Sequence, residues 1–286
     1  MQIEVVDDHS TQDDPEAVVA ELGQGRVSFY RQPQNVGHVR NFETCLERSR
    51  GRLIHLLHGD DCVRPGFYAK MEQPFKKWPE LGAAFCRHII MDAEGHWQKI
   101  SPLEQAESGI LNNWLDRIAI SQRLQTPSMV VRREVYEHLG GFDRRLRWVE
   151  DWEMWVRVAA HYPVWYEVEP LAVYRVHHAS SSDRYLRSGV NIQDARRAIS
   201  MIEAYLPAGR ARQLSRLARE QWGMTALLFA RTSAIRGNRR AALNHIKEAW
   251  RCRISINIIA RTLFVLLVLL AGGRFFSSFG KDSPVW

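Results

Sequence analysis

Two adjacent acids, Asp60 and Asp61, are the first residues in this chain whose types and spacing could do chemistry. They follow residues 53–57, four of which are apolar, and this run is typical of a strand that is covered on both faces. Ligands bind at the carboxyl ends of strands in open α/β sheets, and paired carboxylates there suit a divalent cation that carries a diphosphate. Gly-Asp-Asp is also ordinary turn sequence, so this pattern alone leaves a metal site and a plain turn open.

A second acidic pair, Glu150 and Asp151, stands beside tryptophans at the start of a predicted helix. Trp152 and Trp155 recur after the pair at helical spacing. Acids in the first turn of a helix are stabilised by the helix dipole, which gives the pair a structural explanation. Apolar surroundings can also raise the pKa of a carboxylate into the working range of a general base, so a catalytic role stays open as well.

His177 is a further candidate ligand on position alone, since it follows a predicted strand over residues 164–175. A lone histidine is more often a structural residue than a ligand. The local pattern therefore leaves both interpretations of His177 open.

These candidates need a fold that brings them together, and the start of the chain alternates between strand-like and helix-like segments. The patterns predict strands over residues 2–6, 26–30 and 53–57, and helices over residues 15–22 and 39–49. This β-α-β-α-β order, with acids after the first and third strands, predicts an α/β fold with a parallel sheet.

The middle of the chain continues the alternation, and the last third is helical. Helices are predicted over residues 65–78, 111–120 and 133–139 and from residue 150, and strands over residues 83–91, 97–100, 128–131 and 164–175. Further helices are predicted over residues 191–205, 210–231 and 239–251. Within them, residues 230–250 have the spacing of a helical hairpin, similar to a single tetratricopeptide unit.

Charge is distributed unevenly around the formal net value of +7. From residue 187 onward there are 17 Lys and Arg against 5 Asp and Glu, so this part has a net charge of +12 and the rest of the chain −5. A strongly basic segment suggests a polyanionic partner, either nucleic acid or an anionic membrane surface. The basic residues are interleaved with Leu and Ile, and no zinc, RNP-like or helix-turn-helix motif accompanies them, which favours a membrane over nucleic acid.

An apolar segment near the end of the chain supports the same prediction. Residues 262–273 are apolar for 12 positions, whereas a spanning helix needs about 20. Arg251, Arg253 and Arg261 flank the longer apolar stretch 254–270, so we expect a helix that lies in the membrane interface. The alternative is a terminal helix that packs on the protein's own core.

Cysteine usage and the first residues indicate the compartment. The four cysteines are scattered and form no C-x-x-C pair, so neither a disulfide framework nor a zinc site is expected. Acids at Glu4, Asp7 and Asp8 argue against a signal peptide. We therefore expect a cytoplasmic protein, peripheral on the inner face of the membrane.

Taken together, these segments resemble family 2 of the glycosyltransferases, enzymes of the GT-A fold. The matching motifs follow the family's order and span residues 3 to about 182. They are Val5-Val6-Asp7-Asp8-His9-Ser10-Thr11, Asn35-Val36-Gly37 with Arg40-Asn41, Gly51, His58-Gly59-Asp60-Asp61 with Pro65-Gly66-Phe67, Arg132-Arg133 with Gly140-Gly141-Phe142-Asp143, Glu150-Asp151 with Trp155 and Arg157, and Tyr174-Arg175-Val176-His177. Each motif is short, but their succession is specific.

The resemblance implies a GT-A fold, Rossmann-like with a mostly parallel sheet, followed by a C-terminal helical region. Residues 1–100 would form the nucleotide-sugar-binding half, residues 101–186 the acceptor-binding and catalytic half, and residues 187–286 the basic region with its interfacial helix. The implied activity is a metal-dependent, inverting transfer of a sugar from a nucleotide-diphosphate sugar to a hydroxyl of a glycan or lipid-linked acceptor. Such enzymes act in the synthesis of cell-surface polysaccharides and glycans.

The resemblance also implies the roles of individual residues in nucleotide and metal binding. Asp7 or Asp8 would hydrogen-bond the base or ribose, with Arg40 and Asn41 nearby, and all four are candidate nucleotide-sugar-binding residues. Asp60 would contact the nucleotide-sugar through a bound cation.

For the cation and the acceptor, the implied roles fall on the residues already singled out. Asp60 and Asp61 would hold Mg²⁺ or Mn²⁺ against the diphosphate, and His177 would complete the metal shell. Asp151 matches the general base that deprotonates the acceptor, with Glu150 beside it.

Two departures from the family's pattern leave alternatives open. His58 stands where the family has the first acid of its Asp-x-Asp motif. The chain also begins at the family's second strand, and without the opening strand and helix an apolar sheet edge would be exposed. The alternatives are a truncated, weakly active module that binds nucleotide-sugar or glycan at the membrane, and a nucleotidyltransferase on a similar sheet.

Overall fold

Residues 1–177, 185 and 189–271 are described by the computed structural model, and they form strands and helices in alternation before a helical C-terminal part. The strands are β1 (Glu4–Asp7), β2 (Ser28–Arg31), β3 (Leu53–His55), β4 (Cys62–Val63), β5 (Ala83–Met91), β6 (Trp97–Ile100), β7 (Gly109–Ile110), β8 (Met129–Arg132) and β9 (Val164–Arg175). The helices are α1 (Pro15–Leu22), α2 (His38–Arg48), α3 (Phe67–Lys77), α4 (Trp114–Ile120), α5 (Arg133–Leu139), α6 (Glu150–His161), α7 (Val190–Ile202), α8 (Ala208–Ile235), α9 (Arg239–Cys252) and α10 (Ile256–Leu270).

The first two strands form a small sheet of their own. β1 and β2 are parallel, with Glu4 opposite Ser28 and Asp7 opposite Arg31. Helix α2 is fastened to this sheet, because the Nδ2 of Asn41 donates a hydrogen bond to the carbonyl of Val6. The guanidinium of Arg48 also pairs with Glu4 at 2.6 Å.

The remaining strands form a second sheet with the order β3-β8-β5-β9-β4, to which β6 and β7 are added at β5 and β9. Only β5 and β9 run parallel in it, and the other pairs are antiparallel. The predicted α/β fold of the GT-A type is confirmed, but the sheet is mixed rather than mostly parallel. The reason is that β3 pairs with β8, so the third strand of the predicted β-α-β-α-β unit does not join the first two.

Position at the edge of the sheet changes the burial of β3. Ile54 is buried, as predicted, whereas Leu57, beyond the end of the strand, is 42% exposed. The expectation of a strand covered on both faces is therefore wrong for the last part of the apolar run. An edge strand has a neighbouring strand on one side only, so the residues beyond its end are left partly exposed.

The main core is formed around α6, in which most side chains are buried. Trp152 is fully buried, and its indole Nε1–H donates a hydrogen bond of 2.6 Å to the carbonyl of Ile118 in α4. Trp222 of α8 lies against Trp152 with ring centroids 5.1 Å apart. The C-terminal helices thus share a core with the sheet region, and the predicted division into three segments stays a prediction. Its second boundary falls at residues 186–187, outside the described residues, as do positions 178–182 of the motif region.

Helices α8 and α9 form the predicted hairpin, and α10 packs across it. Gly237 has a φ of +77° at the turn, a conformation that glycine adopts without strain, and the side chain of Asn238 caps α9 by accepting from the N–H of Ala241. Close approach of α10 depends on Gly223, since a Cβ there would lie 2.9 Å from the Cδ1 of Ile258. Among the described residues, no helix has the length and apolar character that crossing a bilayer requires.

Candidate active site

A large cleft with a volume of about 1690 Å³ separates the small sheet from the large one. β1 forms one wall, β3 and residues 56–61 form the other, and side chains of α2 and α3 contribute to the lining. Within the described chain, β1 is paired with β2 only and β3 with β8 only. The two walls of the cleft are therefore strand edges that are not hydrogen-bonded to each other.

Asp7 and Asp8, the predicted nucleotide-binding acids, both line this cleft. Asp7 is buried and accepts hydrogen bonds from the backbone and hydroxyl of Ser10 and from Arg31. Burial acts to raise the pKa of Asp7, but these donors outweigh it and the net shift is downward. Asp8 accepts from the backbone N–H groups of Val36 at 2.7 Å and Gly37 at 2.9 Å. Both carboxylates are therefore fixed in place before any ligand binds.

The other two predicted nucleotide-binding residues lie on α2. Asn41 lines the cleft, but its side chain is engaged with the carbonyl of Val6 and with Gln32. Arg40 is exposed and is not among the residues that line the cleft. Roles for both residues in nucleotide binding stay predictions.

The predicted metal ligands come together at the other wall. The Nε2 of His177 lies 2.9 Å from the Oδ2 of Asp60, and the Oδ1 of Asp61 accepts from the N–H of Arg175 at 2.9 Å. One ligand atom from each of His58, Asp60 and Asp61 lies within 4.8 Å of the others. The Asp60 side chain is 40% exposed, whereas that of Asp61 is fully buried, so Asp60 is the carboxylate that an incoming ion could reach first.

This set of side chains fits a divalent cation of the Mg²⁺ or Mn²⁺ type, since it offers carboxylate oxygens and an imidazole nitrogen. His58 contacts the buried carboxylate of this set, because its Nδ1 lies 3.3 Å from the Oδ2 of Asp61. Burial acts to lower the pKa of His58, but Asp61 outweighs it and the net shift is upward. Another acidic group, Asp92, Glu94 and His96, lies on the turn between β5 and β6 and is largely exposed.

Arg175 belongs to a motif recognised in the sequence, but it had no assigned role. Its Nε donates to the carbonyl of Asp60 at 3.0 Å, and its Nη1 donates to the carbonyls of Asp92 and Ala93. Arg175 therefore joins the end of β9 to the loop that contains the candidate metal ligands Asp60 and Asp61. Its position two residues before His177, at the end of a long buried strand, was the signal that could have indicated this role.

The predicted general base, Asp151, is buried at the N-terminus of α6. Its Oδ2 accepts from the Nε2 of Gln122 at 2.7 Å and the Oγ1 of Thr126 at 3.2 Å, and its Oδ1 accepts from the N–H of Trp152 at 2.7 Å. Burial and then the charge of Glu150 raise the pKa of Asp151 to about 7. A carboxylate with this pKa can take a proton near neutral pH, as a general base must.

Glu150 has a partner that sequence reasoning missed. The Nε2 of His38, the first residue of α2, lies 3.1 Å from the Oε1 of Glu150. Burial acts to lower the pKa of His38, but Glu150 outweighs it and the net shift is upward. Gln122 and Thr126 were also missed, because they lie after the predicted helix, in a segment without a pattern that would single them out. His38 directly follows the Asn35-Val36-Gly37 motif, which was an available signal.

Asp151 and the candidate metal ligands Asp60 and Asp61 line neighbouring cavities. A small polar cavity of about 70 Å³ is lined by Asp151, Gln122 and Thr126 among others. His58, Trp148, Glu150 and Tyr174 line both this cavity and the large cleft. The arrangement can hold a cation with a bound anion on one side and a proton acceptor on the other.

Comparison with known proteins shows similarity in sequence and in fold. Residues 1–140 match the model of the family described as Glycosyl transferase family 2, which confirms the resemblance for that part of the chain. The motifs that contain Asp151 and His177 lie beyond this match. A protein of Mycobacterium tuberculosis (strain CDC 1551 / Oshkosh), described as uncharacterized, is 26% identical over 212 residues. That match covers 70% of this chain and 66% of the relative.

Solved structures show the same fold at low sequence identity. Residues 1–349 of TarS from S. aureus superpose with a TM-score of 0.61 and 12% identity, covering 97% of this chain and 81% of that chain. The mannosyltransferase PcManGT from Pyrobaculum calidifontis, solved with GDP-Man and Mn²⁺, superposes with a TM-score of 0.54 and 14% identity. It covers 98% of this chain and 79% of that chain. Both likenesses support the GT-A fold of the chain.

Proposed function

Since residues 1–140 match the model of the family described as Glycosyl transferase family 2, we propose that this protein transfers a sugar from a nucleotide-diphosphate sugar to a hydroxyl acceptor, with inversion at the sugar carbon. The observation that carries the proposal is the placement of Asp60 and Asp151 on neighbouring cavities that share four lining residues. A transferase needs an anion-binding group and a proton acceptor around one reaction space.

On the donor side, Asp60 with Asp61 and His177 would hold Mg²⁺ or Mn²⁺ against the diphosphate. Bound there, the cation would neutralise the charge that develops on the leaving nucleoside diphosphate. Asp7 and Asp8 would bind the base or ribose at the opposite wall. A TarS structure in complex with UDP and a mannosyltransferase structure with GDP-Man support a nucleotide-diphosphate donor.

On the acceptor side, Asp151 would act as the general base. The acceptor oxygen forms a bond to the anomeric carbon, the bond from that carbon to the diphosphate oxygen breaks, and the hydroxyl proton passes to Asp151. Inversion in one step needs one carboxylate as a base and no covalent intermediate, and Asp151 would meet this need. Glu150 contributes by raising the pKa of its neighbour.

Helix α10 supports a membrane location for this reaction. Its inner face, which includes Ile258, Val265 and Val268, is buried on the other helices. Its outer face exposes large apolar side chains, among them Ile256 at 86% and Leu267 at 60%. The alternative of a terminal helix packed on the core accounts for one face only.

Basic residues lie on α10 and just before it in the chain. Arg251 and Arg261 are exposed near the start of the helix and within it. The combination of an apolar face with cations fits an anionic membrane surface, with the helix lying in the interface. We place the enzyme on the inner face of the membrane, acting on a glycan or lipid-linked acceptor in cell-surface polysaccharide or glycan synthesis.

A screen of nucleotide-sugars by thermal shift with Mn²⁺ tests the donor class, followed by analysis of the products with hydroxyl acceptors. Release of a nucleoside diphosphate together with a glycosylated acceptor is the expected result. Release of pyrophosphate would instead identify a nucleotidyltransferase. Binding of a nucleotide-sugar without turnover on any acceptor would favour a binding module.

A further inference from the structure

The surroundings of Asp151 are more specific than a general base requires. Gln122 lies just after α4, and Thr126 opens the short 3₁₀ turn Thr126–Ser128 that leads into β8. Both side chains reach back to α6 and donate to the same carboxylate oxygen, Oδ2 of Asp151. Two donors from a separate segment thus converge on one atom.

The two oxygens of the carboxylate are consequently different. Each carboxylate oxygen has two lone pairs, and both lone pairs of Oδ2 are occupied by Gln122 and Thr126. Oδ1 accepts only the N–H of Trp152 among the described residues. One lone pair of Oδ1 is therefore available for a proton.

We propose that Gln122 and Thr126 are positioning residues that hold the Oδ2 of Asp151 and so direct the acceptor proton to Oδ1. This inference deepens the proposed function and rests on it. Neither residue touches the reacting atoms; both act by fixing the orientation and charge of the carboxylate. In the transfer step the acceptor O–H bond breaks as the oxygen attacks the sugar carbon, and the proton forms its new bond with Oδ1.

The charged groups around Asp151 define what else acts on it. Glu150 precedes it on α6, His58 lies in the loop after β3, and His38 on α2 faces Glu150. Burial and Glu150 favour the protonated form of Asp151, whereas Thr126 and His58 favour the ionised form. Hydrogen bonds to a charged carboxylate lower its pKa, so loss of either donor raises the pKa of Asp151.

The variants Thr126→Val and Gln122→Met each remove a donor at similar volume. With a donor and acceptor found by the screen above, kcat/KM is measured against pH. Each variant is expected to move the acidic limb of the profile to higher pH by about one unit, the size expected for one hydrogen bond to a charged group. Thr126→Ser keeps the hydroxyl and restores the wild-type limb, and Gln213→Met, an exposed position on α8, is the matched control.

A second measurement does not depend on turnover. The pH dependence of thermal unfolding, recorded in EDTA, reports the titration of Asp151 through its effect on stability. Thr126→Val is expected to move this titration to higher pH, and the move disappears when Asp151→Asn is added. The positioning role is overturned if the wild-type protein turns over a donor but neither variant shifts the acidic limb of the kcat/KM profile or the titration of Asp151 in unfolding. If no nucleotide-sugar is turned over, the proposed function fails, while the unfolding data still show whether these residues hold the carboxylate.

Discussion

The carboxylate of Asp60 and the imidazole of His177 lie 2.9 Å apart, although 117 positions separate them in the chain. Asp60 follows an edge strand of the large sheet, and His177 follows its long strand β9. Antiparallel pairing of β4 with β9 brings the two segments together. The relationship makes Asp60 the residue whose replacement tests the metal site most directly.

Asp60→Ala is expected to abolish metal-dependent nucleotide binding, because it removes the most accessible carboxylate of the site. The Kd for a nucleoside diphosphate with Mn²⁺ should rise by at least about tenfold, which corresponds to about 1.4 kcal/mol. Isothermal titration calorimetry with and without Mn²⁺ measures this Kd. Glu94→Ala, in the exposed acidic group on the β5–β6 turn, is the control and should bind as the wild-type protein does. Equal affinity of the two variants would remove Asp60 from the site.

Asp151→Asn is expected to keep nucleotide binding and lose transfer. The amide has nearly the same shape but cannot accept the proton, so kcat should fall by roughly 10²- to 10⁴-fold. Steady-state kinetics together with nucleotide titration separates the two effects. A variant with the wild-type kcat would show that the base is another residue.

The stability of the protein should depend on pH through the same side chain. Burial and the charge of Glu150 raise the pKa of Asp151 from its ordinary value of 3.8 to about 7 in the folded protein. Its contribution to stability is therefore fully present below about pH 4 and is lost as the pH rises through 7. Asp151→Asn, measured in EDTA, should therefore be more stable than the wild-type protein at pH 8, with the difference disappearing toward pH 4. Thermal unfolding of the variant and the wild-type protein between pH 4 and pH 8 measures the difference in their free energies of unfolding.

Asp143→Asn supplies a control of opposite sign. Hydrogen bonds from Arg145 hold the pKa of Asp143 below its ordinary value, so this carboxylate stabilises the fold above its unfolded pKa. Its replacement should destabilise the protein at neutral pH. A gain in stability for Asp143→Asn, or none for Asp151→Asn, would contradict the assignment.

Membrane association should depend on the outer face of α10. The double variant Leu263→Ser with Leu267→Ser changes two side chains that are more than half exposed, so the fold should be unaffected. Flotation with anionic vesicles at low salt should fall by about tenfold or more, given the apolar area that these side chains can bury. Val18→Ser, at an exposed position on α1, is the control. Absence of wild-type flotation at low salt would end the membrane proposal.

Elements with a strong local signal were predictable from the sequence. Strand β5, helix α5 and strand β9 have the predicted bounds, because each combines a clear periodicity with turn residues at its ends. The acids at the strand and helix ends were also identified, since their position relative to a local pattern is visible in the chain. Asp60 and Asp151 are of this kind, and His177 was singled out by its position after a strand; the roles of these three residues stay predictions.

Features that depend on distant pairing were not predictable. The partner of β3 is β8, more than seventy positions later, and nothing in the apolar run specifies that choice over β1. Gln122, Thr126 and His38 are ordinary polar residues until the fold places them beside α6. Contacts of this type are set by tertiary packing and have no local sequence signal.

Helix α2 contacts both walls of the cleft. Asn41 and Arg48 fasten it to β1, while the ring of Phe42 stacks on His58 at 5.2 Å and His38 pairs with Glu150. Among the described residues no backbone ladder joins the two walls, so the side-chain contacts of α2 connect them across the cleft. A ligand that reaches from Asp8 to Asp60 would brace the same opening from the inside, so occupancy should stiffen the small sheet more than the large one.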